Sequence, residues 1–278
     1  MPTAIFIMYT NDGFAFGADG RQCKDNGAVV NDEAQKVFPI EEPKRCLGYA
    51  LAGAVVIPDE AEKCIVFDFV SETRKAVEFM ATRKPDGLEK YSRELAFWLK
   101  QRLEKAMSVA AAKDLVARYP ESVGFTYEGE KGYTIARLFL AGYYDQIPCW
   151  TQTRFFHVDQ KLKPPMVVAF PILPGGSIGY GSKLVADVLN YTDDPRFSVY
   201  RLAHPEKSED ITLSEAVESA NLMLRAQSDA QAKTIDPAIC SLFGGQIHVA
   251  RLSRAEGFKW SNPQPQFRVF AIPLPRLG

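Results

Sequence analysis

Asn11-Asp12-Gly13 stands between two apolar runs, Thr3–Thr10 and Phe14–Asp19. Asn or Asp before Gly supplies the positive φ of a tight hairpin turn, so the chain has to open as an antiparallel hairpin. A second pair of runs, Lys36–Ile40 and Cys46–Gly53, is broken by Glu41-Glu42-Pro43, and small residues end its later member at Ala50–Ala54. The opening therefore reads as an antiparallel meander.

Helices are expected next. Pro58-Asp59-Glu60 puts proline and acids where a helix N-terminus takes them, which predicts a helix running to about Arg83, where Pro85-Asp86-Gly87 breaks it. From about Leu88 to near Tyr119-Pro120, residues Tyr91, Leu95, Trp98, Leu99, Leu103 and Met107 recur at i, i+3, i+4 spacing, the stripe of a helix packed on a core. Strands are expected again at Tyr133–Tyr143, Trp150–Asp159, Met166–Phe170 and Ser177–Gly179, and Gly181-Ser182 opens a short helix through Leu189. Thr212-Leu-Ser-Glu215 reads as a capping box starting a helix with Ala216, Ala220, Leu222, Met223 and Ala226 on or near its buried side. A strand pair, Gly245–Leu252 with Phe267–Ile272, and a Pro-rich tail close the chain. Strands, helices, strands, helices and strands in that order suggest two stacked sheets with helices on their outer faces. No internal repeat or low-complexity linker divides the 278 residues, so one domain over 1–278 is the simplest reading.

Composition removes several function classes. The 33 basic and 34 acidic residues give a formal charge of −1, which offers nucleic acid or an anionic membrane no electrostatic footing. No apolar run reaches the roughly 18–20 residues a bilayer span needs. The start, Met-Pro-Thr-Ala-Ile-Phe-Ile-Met, lacks the basic and apolar regions of a signal peptide, so a cytoplasmic location is expected. Cys23, Cys46, Cys64, Cys149 and Cys240 are spread without a CxxC pair and read as reduced thiols. His157, His204 and His248 show no zinc-ligand spacing, and no metal or other cofactor is expected.

Several segments together resemble the proteasome-type N-terminal nucleophile (Ntn) hydrolase family, the proteasome β-subunit and its bacterial self-compartmentalising relatives in particular. They are Thr3-Ala-Ile-Phe-Ile with Gly17-Ala-Asp19-Gly-Arg21, Ala34-Gln-Lys36-Val-Phe-Pro-Ile, and Leu47-Gly-Tyr-Ala-Leu-Ala52-Gly53. Leu140-Ala-Gly-Tyr, His157-Val-Asp159, Ser177-Ile-Gly179-Tyr-Gly181-Ser182, Thr212-Leu-Ser-Glu-Ala-Val and Phe243-Gly-Gly-Gln-Ile-His-Val-Ala250 come after them in the family's order. The resemblance implies a four-layer αββα sandwich of mostly antiparallel sheets.

It also implies a site. Thr3 falls at the nucleophile, Asp19 lies 16 residues beyond it, and Lys36 lies 33 beyond, one more than usual, which an insertion between Gln22 and Asn31 would absorb. Gly53 matches the glycine whose amide forms the oxyanion hole, with Arg21, Gly181 and Asp236 supporting. A Thr hydroxyl attacks only once a base takes its proton, and in this family that base is the nucleophile's own α-amine, tuned by the Lys and Asp. The resemblance further implies a threonine peptidase, a peptide or protein substrate, a homo-oligomeric ring and an ATP-dependent unfoldase partner.

The chain departs from the pattern in three places. Met1 and Pro2 precede Thr3, Tyr180 replaces the serine beside Gly181, and Cys240 and Phe243 stand where an Asp and a Ser are usual, with Asp236 nearby. A catalytically inactive structural subunit with the same fold is the alternative. Two other classes are weaker. Pro174-Gly-Gly-Ser-Ile-Gly-Tyr-Gly181-Ser-Lys183 before a helix could cradle an anion, but it has neither the Gly-Lys-Ser order nor the GxGxxG spacing. Pro2 as an N-terminal secondary-amine catalyst would belong to subunits much smaller than this chain.

Overall fold

The structure is a computed structural model and describes residues 3–23, 29–42, 45–53, 56–59, 64–106, 124–127, 130–158, 161–201 and 208–262. The opening hairpin is β1 (Ile5–Thr10) with β2 (Gly13–Asp19), Thr10 facing Gly13 across the turn. The turn does not take the expected form. Asn11 and Asp12 keep negative φ, and the positive φ belongs to Gly13, where a Cβ would sit 2.2 Å from the Leu252 carbonyl oxygen. Glycine is required there by a neighbouring strand.

β3 (Gln22–Cys23) and β4 (Val29–Asn31) make a short ladder, β5 (Val37–Glu42) pairs with β6 (Arg45–Gly53), and β7 (Val56–Asp59) pairs with β8 (Cys64–Asp68). Helices α1 (Phe69–Ala81) and α2 (Leu88–Ala106) follow. Next come β9 (Gly124–Tyr127), β10 (Glu130–Tyr144), β11 (Ile147–Val158), β12 (Lys161–Leu162), β13 (Met166–Ala169) and β14 (Ser177–Tyr180). The last third holds α3 (Lys183–Tyr191), α4 (Leu213–Ser228), the single turns α5 (Ala232–Ile235) and α6 (Pro237–Cys240), then β15 (Ile247–Ser253) and β16 (Gly257–Trp260).

Two antiparallel sheets carry the architecture. One has the order β14-β1-β2-β15-β16; the other runs β12-β11-β10-β6-β5, with β9 added on β10 and β13 on β11. Between them lies a cluster drawn from both: Ile5, Ile7, Phe14 and Phe16 meet Val37, Ala50, Phe139, Ala141 and Trp150. The opposite face of the second sheet, with Leu47, Tyr49, Leu51, Leu138 and Leu140, packs on Tyr91, Leu95 and Leu99 of α2 and Ala76 and Met80 of α1. On the outer face of the first sheet, Met8 and Ala15 meet Ala216 of α4. The fold is thus an αββα sandwich. β6 and β10 are apolar on both faces because both faces are covered, unlike the half-solvated strands common in antiparallel sheets.

Close approach depends on two glycines. A Cβ on Gly48 would lie 2.6 Å from the Phe16 ring of the facing sheet, and one on Gly17 would lie 2.6 Å from Leu224 of α4. The Thr212–Glu215 capping box forms as its sequence requires, and Ser182 caps α3.

Two further expectations are corrected. Pro58-Asp59 does not start a helix; it lies in β7, and the helix begins ten residues later behind Asp68, whose carboxylate accepts from the Val70 N–H. Proline and acids suit a strand end as readily as a helix start when an N-cap residue lies further on. β15 pairs with Gly257–Trp260 after a turn at Arg254–Glu256, a strand with no clear signal in the sequence. The expected strand Phe267–Ile272, the end of the long helix near Tyr119-Pro120, His204, and Met1-Pro2 lie outside the described residues. No helix among the described residues is long and apolar enough to cross a membrane.

Candidate active site

Asp19 ends β2 and is wholly buried. Its carboxylate collects three donors: Lys36 Nζ at 2.9 Å and the Ala4 N–H at 2.8 Å on Oδ1, and the Gly244 N–H at 3.2 Å on Oδ2. Burial raises the Asp19 carboxyl above its ordinary range, and the Lys36 ammonium, with the two N–H groups, opposes this. Lys36 is 5% exposed and also donates to the Arg21 carbonyl at 2.7 Å. A buried ammonium is costly unless paired and hydrogen-bonded, and here it is both.

Thr3 is 1% exposed and joins this group through its neighbour. Ala4 is clamped from both sides, its N–H on the Asp19 carboxylate and its carbonyl accepting from the Asp19 N–H at 3.1 Å. The residue before Ala4 is therefore held at the end of β1, next to the Asp19–Lys36 pair. The Lys36 carbonyl accepts from the Leu51 N–H at 3.1 Å, which ties the lysine backbone to the end of β6. Gly53 closes that strand with φ +96°, and a Cβ would fall 2.5 Å from the Ile135 carbonyl oxygen, so only glycine fits.

Arg21 does not point at Asp19. Its guanidinium binds Asp32 at 2.7 Å and the Phe243 carbonyl at 3.2 Å, lying so close over Gly244 that a Cβ there would meet it at 2.8 Å. The Arg21 guanidinium therefore meets Asp19 through the loop whose Gly244 N–H reaches the carboxylate, while its carbonyl holds the Lys36 ammonium. A second group surrounds Gly181. Gln227 Oε1 accepts from the Ser182 N–H at 2.8 Å, and Ser182 Oγ donates to Asp236 at 2.7 Å. A Cβ on Gly181 would strike the Gln227 amide at 2.2 Å. Cys240 and Phe243 pack with Ala4 and Val185 in one apolar cluster, which connects this group to the start of β1.

Two features have no local signal in the sequence. The Ser182–Asp236 bond becomes visible only with the fold of α5 and α6. His248 of β15 is fully buried, and neither ring nitrogen has a hydrogen-bond partner among the described residues. A Cβ on Gly20 would lie 3.1 Å from His248 Nε2, and the ring meets Trp260 edge-on at 6.4 Å. Burial, with the Lys36 charge second, pushes this imidazole down to about 4. The His-Val-Ala sequence carries no sign of that; only the pairing of His248 with Ala18 brings it under Gly20. Among the described residues no cluster of His, Cys, Asp and Glu could hold a metal.

No protein-family model and no curated protein matches this chain. Solved structures do resemble it. The Anbu complex from Pseudomonas aeruginosa, solved as a helical assembly, is 12% identical over 97% of this chain and 87% of its own, with a TM-score of 0.52. Anbu, an ancestral β-subunit, from Yersinia bercovieri is 12% identical over 94% and 88%, at 0.48. The first likeness shows the fold alone: this chain shares the αββα sandwich of that Anbu structure.

Proposed function

We propose that this chain is a threonine-type Ntn hydrolase, a peptidase subunit of a self-compartmentalising assembly, folded as one domain over its length. The observation that supports it most is the Asp19 carboxylate, held by Lys36 and by the N–H of the residue that follows Thr3. In this reading the Thr3 hydroxyl attacks a peptide carbonyl and its own α-amine takes the proton, a group whose ordinary pKa of about 7.7–8.0 suits neutral pH. The Lys36 ammonium lowers the amine's proton affinity and stabilises negative charge developing beside it. Asp19 fixes the lysine. The Gly53 N–H receives the oxyanion, a donor of a kind that contributes roughly 3–4 kcal/mol. Arg21 holds the Gly244 loop, and Gly181 with Asp236 shapes the Ser182 turn on the far side of Ala4.

The fold, and an Anbu structure solved as a helical assembly, favour association of copies. We read the assembly as a ring or short helix of this chain in the cytoplasm, fed by an ATP-dependent unfoldase, acting on peptides or proteins without nucleic acid or membrane. The sequence Met1-Pro2 before Thr3 favours a second reading, a structural subunit without turnover, because Thr3 has no free amine while Pro2 remains.

Intact mass and N-terminal sequencing of the purified protein, with peptide hydrolysis, separate the two. The hydrolase reading expects a chain beginning at Thr3, and a Thr3→Ala variant that folds normally but loses at least about three orders of magnitude in turnover. A mature chain that keeps Pro2, or an active Thr3→Ala protein, overturns it.

A further inference from the structure

The end of the inter-sheet space beside Thr3 carries a charge that the chemistry above does not use. Arg137 lies on β10 directly opposite Ala52 of β6 on one side and Arg154 of β11 on the other. Alternation along β10 places it on the same face as Phe139 and Ala141, which line the space between the sheets. Its guanidinium lies 4.5 Å over the ring of Tyr180, and Tyr180 faces Ile5 across β14 and β1. Arg137 therefore reaches from one sheet to the other, one residue along β10 from the row of Gly53, and the Tyr180 it meets stands opposite Ile5, two residues or about 7 Å along β1 from Thr3.

This placement is unfavourable for an arginine. Arg137 is half-buried, its Nε is buried without a hydrogen-bond partner, and no carboxylate among the described residues pairs with it. Arg154 stands opposite with the same charge. Like charges face to face across a strand pair destabilise a sheet, and a desolvated guanidinium without a counter-ion costs more. The forces on Arg137 agree: burial weakens its hold on the proton, Tyr180 strengthens it, and Arg154 weakens it again. The buried carboxylate of the site, Asp19, is taken up by Lys36, Ala4 and Gly244. A ligand carboxylate would remove each penalty, since a planar guanidinium binds carboxylates through paired, charge-assisted hydrogen bonds.

We propose that Arg137, steadied on Tyr180 and seconded by Arg154, is the recognition subsite for a substrate carboxylate placed within about two residues of the cleaved bond. The proposal rests on the hydrolase reading for its place in catalysis and not for the binding itself. The carboxylate has two sources, a Glu or Asp side chain or the free C-terminus of a short peptide.

The test uses the mature full-length chain and internally quenched peptides in matched pairs, Glu against Gln near the cleaved bond and free acid against carboxamide at the terminus. One pair is expected to differ by about tenfold in kcat/KM, the acid faster, and the pair that does so names the source. Arg137→Gln is expected to bring that ratio within about twofold, and Arg137→Lys to keep part of it. Equal rates for both pairs in the unmodified protein overturn the proposal without any variant. So does an Arg137→Gln protein with an unchanged melting temperature that keeps the ratio. If the unmodified chain cleaves no peptide, the hydrolase reading fails, and fluorescence anisotropy with the same peptides decides the subsite. Tenfold tighter binding of the acid supports it, and equal binding ends it.

Discussion

His248 is the residue whose surroundings most directly set a pH response. Its imidazole is enclosed by Gly20, the Trp260 ring and the charge of Lys36, which is itself paired with Asp19, and burial pushes it down to about 4. An unfolded His takes its proton near 6.5. Between these values the unfolded chain binds more protons, so the contribution of this residue is complete above about pH 6.5 and falls away as pH drops toward 4. We predict a loss of roughly 3 kcal/mol by pH 4. His157 is also lowered by burial, so the comparison is with His248→Phe. Urea unfolding at pH 7.5 and 4.5 should show the variant losing less stability than the unmodified protein; parallel losses would remove the assignment. The contrast with Asp19 and Lys36 explains what the sequence can reveal. Asp19 lies beyond Thr3 at the family spacing, Lys36 lies one residue further than usual, and both carry charge, so they are legible as a pair. His248 and the Arg137–Arg154 pair depend on strand register, which no local pattern encodes.

At the level of elements, the sheet-to-helix contact of β2 with α4 is set by the absence of a side chain. Gly17 faces Ala220 and Leu224, and an added Cβ would meet Leu224 Cδ1 at 2.6 Å and Ala220 Cβ at 3.2 Å. The leucine tip can rotate, whereas Ala220 is fixed to its helix. Gly17→Ala should therefore cost about 1–2 kcal/mol, and Gly17→Val about 3 kcal/mol or more because its branches reach both neighbours. Leu224→Ala in the same chain should recover part of the valine penalty, a coupling that a double-mutant cycle reads directly. Strict additivity would mean that the contact is not the cause. The small residues of α4 are visible in the sequence, and so is its capping box. The misplaced start of α1 has a different origin. Pro58-Asp59-Glu60 and Asp68 with Glu72 are both plausible helix starts, and only the β7–β8 pairing decides between them. Likewise, Arg254-Ala-Glu-Gly257 gives a weak turn signal, so β16 is hidden in the sequence although Phe258 and Trp260 pack together at 5.4 Å.

For the molecule as a whole, the question is whether its layers can come apart separately. β6 and β10 contribute Leu47, Leu51, Leu138 and Leu140 to the helix side and Ala50, Ala52, Phe139 and Ala141 to the inter-sheet side. Releasing α1 and α2 would uncover one face of these strands, and releasing the other sheet would uncover the opposite face. Either partial state exposes a large apolar surface at roughly 25 cal/mol per Å² while keeping most of the ordered chain. Such intermediates are unfavourable, so the described layers should unfold together as one cooperative unit. The tryptophans sit where they can report this: Trp98 on α2, Trp150 between the sheets and Trp260 on the edge strand β16. Three proteins, each keeping one of these tryptophans with the others changed to Phe, should give fluorescence transitions that coincide with far-UV circular dichroism at a fixed protomer concentration. A Trp98 signal lost ahead of the Trp150 signal would instead divide the chain into a helical unit and a sheet unit. The site lies at the junction of the two sheets, with Asp19 from one and Lys36 and Gly53 from the other. In a chain so divided the site would outlast the helical unit and be lost only when the sheet unit opened.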